Sequence, residues 1–377
     1  MKKILLLLCL LFPYSVYADE LITHANSGIL IEANSGKILF EKEKDKELSV
    51  ASMTKMMAQI IIMEEIEKGK IHWDDIVTVS HNASSMGGSQ IYLETGEKMS
   101  VEDLMKGISV ASGNDATVAM AEYIGGTEEK FVQLMNQKVK KLGLKHTHFM
   151  NATGLDEENH YSSSYDMAVI ARELILKHPD ILKFSSIYED YLRENTDHKF
   201  WLVNTNKLIH QYEGTDGLKT GHTDDAGYCL AATTKRDNLR LVAIVLGEED
   251  SKVRNKETME LLDYGFSNVK MKELKKKGEF IKKMSFPKAD INTVNIVLKE
   301  PLMVIEEVGD TFEYQYKIEL NSIKLPVKKD ETVGKIIVLN HNQELSSGDL
   351  VFDKEVKPLS LLRLFIHEIL NTLYGIY

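Results

Sequence analysis

Cysteine is close to absent from this chain: its 377 residues include Cys9 and Cys229 and no others. Cys9 lies inside an apolar run near the start, so a processed chain keeps only Cys229 and no intrachain disulfide can staple it. Stability has to come from packing. Excess positive charge is missing as well. The net charge is −11, and losing Lys2 and Lys3 takes it to about −13, which repels phosphate backbones and argues against a nucleic-acid partner. Metal patterns are lacking too: there is no HExxH or CxxC, and His146-Thr147-His148 stands without a nearby third ligand. That pair reads as surface loop, and neither a metal nor another cofactor is expected.

Nor is there a hydrophobic run long enough to cross a bilayer. Residues 4–12 give nine apolar positions before Pro13, too few for a span. With Lys2 and Lys3 ahead of them and Val16-Tyr17-Ala18 behind, they read as a secretory signal peptide, residues 1–18, with Asp19 as the first mature residue. A lipoprotein reading of Cys9 fails because Leu8 is bulky where such sites want a small residue.

What is present suits globular domains, with 43% hydrophobic and 27% charged residues. "SGILIEANSGKILFEKE" predicts a hairpin turning at Asn34-Ser35-Gly36, and a helix is predicted to begin near Ser52. Residues 100–143 are helical in pattern, opened by the capping box Ser100-x-x-Asp103 and punctuated by glycines; a further helix ends before Pro179. Three successive antiparallel strands follow from "GLKTGHT" through "LRLVAIVLGEE", then another helix. This predicts an α+β domain, residues 19–268, with one antiparallel sheet covered by helices. Beyond the lysine-rich "KMKELKKKGEF" the pattern alternates, which predicts a small all-β domain over residues 269–357.

The tail, residues 358–377, is helical in pattern. Ser360, Arg363, His367, Glu368 and Asn371 fall on one narrow polar stripe at 100° per residue, and apolar residues cover the rest. Such a helix is a poor span and a good membrane-surface anchor; the competing reading is a core helix packed on the β domain.

Ser52-Met53-Thr54-Lys55 is the first candidate for chemistry. Residues i and i+3 of a helix share a face, so the serine and lysine can touch, and the helix start supplies N–H groups and partial positive charge. The bare pattern is weak evidence, since Ser267 and Ser285 also precede a lysine by three. Only Ser52 is followed by a core-forming run, Met53, Met56, Met57, Ile60 and Ile61, that would keep the site rigid and dry. A lysine acts as a base only when neutral, and desolvation or a second cation would favour that state. The plain alternative is that Ser52 only caps the helix.

Two further segments bear on the choice. Ser112-Gly113-Asn114 places a hydroxyl and a carboxamide in a loop ahead of a helix, although Ser80-His81-Asn82 shares the pattern and Asn114 can equally be a cap. In "GLKTGHTDDAGY" a strand carries Lys219 and Gly221 on one face, where glycine leaves room for a peptide against the sheet edge, and Lys219 with Thr220 suits a terminal carboxylate.

Taken in order, SxxK, SxN and KTG form the motif set of penicillin-binding proteins and class A β-lactamases. With "SGNDA", "NATGLD", "DGLKTGHT", the β-rich second domain and the amphipathic tail, the chain resembles the low-molecular-mass penicillin-binding proteins, the serine D-Ala-D-Ala carboxypeptidases of bacterial cell-wall metabolism. The resemblance implies Ser52 as acylated nucleophile, Lys55 as its proton acceptor and Ser112 as relay to the leaving D-alanine. It implies that Asn114 holds the substrate amide, that Lys219 and Thr220 bind the carboxylate beside Gly221, and that the N–H groups of Ser52 and His222 form the oxyanion hole. The substrate would be the peptidoglycan stem peptide, with β-lactams as covalent inhibitors, on the outer face of the cytoplasmic membrane. Val50 and Met57 depart from the family's usual proline and threonine without touching the chemistry.

Three rivals share most of these residues: a D,D-endopeptidase on cross-links, a β-lactamase, and a non-catalytic cell-wall binding protein. A class A β-lactamase needs a Glu-x-x-Leu-Asn segment for deacylation, and the closest approach here is Glu189-Asp190-Tyr191-Leu192-Arg193, with arginine in the asparagine's place.

Overall fold

Five antiparallel strands make the central sheet, in the order Ile38–Lys42, Ser27–Glu32, Leu239–Glu248, Gly227–Arg236, Thr215–Thr223. The computed structural model describes residues 21–360 apart from Lys288 and Asp310, together with Arg363, Phe365 and Ile369. The expected signal peptide and nearly all of the expected tail helix lie outside the described residues. The N-terminal hairpin closes the sheet by pairing with Leu239–Glu248, with Ser27 opposite Leu246. Residues 229–234 and 241–246 are buried without alternation, the mark of strands covered on both faces. The α+β layout expected from the order of elements is the one adopted. The edge position falls to Thr215–Thr223, whose outer side carries backbone groups with no ladder partner.

The helix Lys55–Glu67 is apolar all round, and its residues from Lys55 to Met63 are buried. A helix of that kind belongs in the middle of a core. It lies in one cluster with residues of Val101–Val110, Asn114–Gly125, Glu128–Leu142 and Ser164–Lys177; Met56, Met57, Ile60 and Ile62 are fully buried, each worth about 1.5–3 kcal/mol. Local signals set the boundaries: Ser100 Oγ accepts from the Asp103 amide at 3.1 Å, and the helix Glu128–Leu142 ends on Gly143 in the left-handed region.

One expectation needs correction. The α-helix begins at Lys55, and Ser52 caps nothing: it sits within a 3-10 turn, Ala51–Thr54, that makes no side-chain cap bond. Ala51, at φ 46°, bends the chain into that turn. The lysine-rich stretch, inside the expected all-β domain, holds the strands Val269–Lys275 and Phe280–Ser285. Lysine stems cover apolar surface while their ammonium groups reach water, which hides a strand's alternation from a hydropathy reading.

The chain divides into two units, one up to Gly265 and one from Phe266. Within the second, a five-stranded antiparallel sheet runs Phe280–Ser285, Thr293–Leu298, Gln343–Phe352, Thr332–Asn340, Tyr314–Leu320, and Val269–Lys275 pairs with Leu302–Glu307. Ile296, Val338, Leu350 and Phe352 form its core.

Candidate active site

The turn Ala51–Thr54 brings Ser52 to the rim of a cleft of about 470 Å³, also lined by Ser112, Thr220, Gly221 and His222. Three motifs far apart in sequence therefore meet at one place. Lys55, Asn114 and Lys219 stand just behind this lining and are buried. Of the other SxxK pairs, Ser267 ends a helix while Lys270 lies in the next strand, so no shared helical face exists there.

Lys55 is fully buried, and its Nζ donates to Ser52 Oγ at 2.7 Å and to the Thr153 carbonyl at 2.7 Å. Burial first, and then the charge of Lys219, hold its pKa well below the ordinary lysine value, against the opposing pull of Asp115. A neutral amine at that distance can take the serine proton. Asp115 is itself buried and accepts from the amides of Ile91, Leu93 and Ala116, so the helix N-terminus absorbs much of its charge.

Thr153 was not singled out as a site residue, yet its carbonyl positions the lysine. Its loop is built by Asn151, whose Oδ1 accepts from the amides of Thr153 at 3.2 Å and Gly154 at 2.7 Å. Gly154 has φ +82°, and a Cβ there would lie 1.9 Å from the Ala51 carbonyl oxygen. His160 locks the other side: its Nδ1 accepts from the Met150 amide at 3.2 Å, which leaves Nε2 to donate to Thr54 Oγ1 at 2.8 Å. Burial lowers His160 to about 4, so it stays neutral.

Ser112 adopts the left-handed region at φ 62°, and its Oγ is buried with no hydrogen-bond partner. A non-glycine residue in that region costs about 1–2 kcal/mol, and here the turn directs a hydroxyl to the cleft. Asn114 Nδ2 donates to the Gly87 carbonyl at 2.7 Å, while its Oδ1 has no partner. It is an anchored carboxamide with a vacant acceptor, and Gly113 rather than Asn114 holds the N-cap position.

On the edge strand, Gly221 backs directly onto the serine turn. A Cβ there would lie 2.6 Å from the Val50 carbonyl oxygen. Thr220 Oγ1 donates to Thr205 Oγ1 at 2.7 Å, and Lys219 Nζ donates to the Thr220 carbonyl at 3.0 Å. Burial, followed by the charge of Arg254, lowers the Lys219 pKa. Arg254 escaped the sequence reading: it comes from the helix Ser251–Asn268, lines the same end of the cleft and is 5% exposed. Nothing local in "SKVRNKE" separates it from a surface arginine; only the fold sets it beside Thr220. The His222 ring packs against Tyr228, tilted by 32° with centroids 4.0 Å apart.

The β-lactamase-like segment lies elsewhere. Glu189 is exposed on the strand Glu189–Leu192 and does not line the cleft, and Arg193 is taken up by Glu97 at 2.6 Å. No aspartate or glutamate lines the cleft among the described residues. The His146-Thr147-His148 pair is loop-bound, with His146 Nδ1 on Glu47 and His148 Nδ1 on the Asn159 carbonyl.

Residues 15–250 match the family described as D-alanyl-D-alanine carboxypeptidase, and residues 270–358 match the C-terminal domain of penicillin-binding protein 5. The D-alanyl-D-alanine carboxypeptidase DacF of Bacillus subtilis is 45% identical over 346 residues, 91% of this chain and 89% of that one. The crystal structure of penicillin-binding protein 5 from Haemophilus influenzae covers 89% of this chain and 98% of its own, with a TM-score of 0.71 and 32% identity. Penicillin-binding protein D2 from Listeria monocytogenes, in its ampicillin-bound form, is 31% identical with a TM-score of 0.58, covering 64% of this chain and 97% of that one. The chain belongs to the D-alanyl-D-alanine carboxypeptidase family of serine peptidases, among the low-molecular-mass penicillin-binding proteins.

Proposed function

We propose that this protein removes the terminal D-alanine from peptidoglycan pentapeptide stems through an acyl-enzyme on Ser52. The observation that carries the reading is the 2.7 Å contact between Ser52 Oγ and a fully buried Lys55 whose pKa is depressed. The neutral amine takes the serine proton as Oγ attacks the carbonyl between the two D-alanines. The N–H groups of Ser52 and His222 receive the oxyanion. Ser112 passes the proton to the leaving D-alanine nitrogen, and Asn114 Oδ1 accepts from the substrate amide. Thr220 and Arg254 hold the terminal carboxylate, with Lys219 behind them. Water then releases the shortened stem.

A β-lactam offers the same carbonyl and carboxylate, and a relative has been crystallised in an ampicillin-bound form. With no carboxylate lining the cleft to activate water, the penicilloyl ester on Ser52 is expected to persist. The test is direct: the protein should release D-alanine from a soluble stem pentapeptide and, with benzylpenicillin, gain one stable adduct that peptide mapping places on Ser52. Failure of D-alanine release, or rapid turnover of penicillin, would reject the reading.

The pH profile supplies a second check. Because burial and, after it, the Lys219 charge depress Lys55, acylation should climb with pH along an ionisation well below the ordinary lysine value of about 10.4. Lys219→Met removes a cation, raises the Lys55 pKa and should move that limb to higher pH. An unmoved limb would show that the Lys219 charge does not depress the titrating base.

We extend the proposal to placement: export by the signal peptide, a catalytic domain over residues 19–268, a β domain over 269–357, and attachment to the membrane surface by the tail. The tail's sequence pattern, apolar outside one narrow polar stripe, supports that attachment. No helix among the described residues is long and apolar enough to cross a membrane.

A further inference from the structure

Arg254 is a buried cation whose partners carry no charge. It is 5% exposed, stands near the start of the helix Ser251–Asn268, and lines the cleft together with Thr220. Among the described residues its guanidinium has two partners, the side chain of Asn255 and the Cys229 carbonyl. A buried charge without a counter-charge is costly, and an anion in the cleft would relieve that cost.

The way its donors are used narrows what that anion is. A guanidinium carries five N–H groups in one plane. Nε and Nη2 both donate to Asn255 Oδ1, at 3.1 and 2.8 Å, so one edge of the plane is taken up by a single carboxamide oxygen. Nη1 reaches the Cys229 carbonyl at 3.5 Å. One N–H is left on each terminal nitrogen, and two neighbouring donors match the two oxygens of a carboxylate.

Both anchors are set by the fold. Cys229 is fully buried in Gly227–Arg236 and pairs with Gly221 of the edge strand, so its carbonyl belongs to the sheet that carries Thr220. Asn255 follows Arg254 on the helix, is half-buried and lines the cleft. A free arginine side chain samples many rotamers, and an acceptor gripping one edge of its plane leaves few of them.

We infer that Asn255 is a positioning residue for the reaction, holding the Arg254 guanidinium by one edge so that its two remaining N–H groups meet both oxygens of the substrate's terminal carboxylate. The inference rests on the carboxypeptidase reading and adds to it what aims the carboxylate-binding arginine. Asn255 takes no part in the bond changes, so its effect falls on recognition.

The full-length protein is assayed on Nα,Nε-diacetyl-L-lysyl-D-alanyl-D-alanine and on the same peptide ending in a carboxamide. The unaltered protein should prefer the free carboxylate. Asn255→Ala should cut that preference about tenfold, the scale of one hydrogen bond to a charged group, through a higher KM for the carboxylate peptide. Asn255→Leu, which keeps the shape of the side chain without its acceptor, should give the same loss. A smaller folded fraction slows both peptides alike and leaves their ratio unmoved. Arg254→Lys removes the fork of donors, and Asn255→Ala added to it should lower the preference no further. A preference unchanged in both Asn255 variants, or losses that simply add in the double variant, overturns the positioning role while the carboxypeptidase reading stands. Hydrolysis of neither peptide by the unaltered protein overturns both.

Discussion

Lys55→Met is expected to slow acylation of Ser52 by benzylpenicillin about 10³-fold or more and to abolish measurable D-alanine release, while the protein stays folded. Lys55 is fully buried and makes two contacts, to Ser52 Oγ and the Thr153 carbonyl. Methionine fills nearly the same volume and removes the amine that contacts the serine hydroxyl. General-base assistance is worth about 10²–10⁴-fold, and loss of the lysine also frees the serine hydroxyl to rotate. Stability should change little. The Thr153 carbonyl loses a donor, at about 1–3 kcal/mol, and the fold is relieved of an amine that burial disfavours in its charged form. Thermal unfolding together with stopped acylation time courses measures both sides. Acylation retained above a tenth of the original rate would remove Lys55 as the proton acceptor.

Gly154→Ala is expected to destabilise the protein by more than about 3 kcal/mol and to cripple the same acylation, although Gly154 carries no chemistry. Two costs add. An alanine at φ +82° is strained by about 1–2 kcal/mol, and its Cβ would lie 1.9 Å from the Ala51 carbonyl oxygen, against backbone that cannot swing away as a side chain can. Relief requires moving either the turn that holds Ser52 or the loop whose Thr153 carbonyl holds Lys55. A displacement of about 1 Å at a reacting pair costs about 10²-fold. Denaturant unfolding and penicillin acylation of the same preparation test this. A variant with unchanged midpoint and unchanged acylation would show that the contact between loop and turn is dispensable.

Much of the fold was legible because its signals are local. Ser100 and Thr127 cap the helices they precede, accepting from Asp103 and Lys130, and Gly143 ends its helix in the left-handed region. The apolar run after Ser52 is a core helix because residues buried from Lys55 to Met63 leave no face for water. In the second unit Thr293–Leu298 alternates plainly, while lysines obscure the alternation on Val269–Lys275 and Phe280–Ser285. The alternative of Ser52 as a cap is excluded by tertiary contacts, since the residue sits inside a 3-10 turn ahead of the helix. Its turn is set by Ala51 at φ 46° and by the packing of Gly154 and Gly221 against it from two directions, and none of those contacts is near in sequence.

The site divides in the same way. Residue types in order, Ser52 with Lys55, Ser112 with Asn114, Lys219 with Thr220 and Gly221, were readable because each motif is short and its chemistry belongs to its side chains. Arg254, the Thr153 carbonyl and the role of Asp115 were not, because each acquires meaning only from a neighbour brought close by the fold. Sequence by itself determined which groups are available and which helix is buried. Tertiary structure alone decided which lysine has its charged form disfavoured, since that follows from the exclusion of water and the approach of a second cation. It also decided which serine faces the cleft, since that follows from close backbone packing around a single turn.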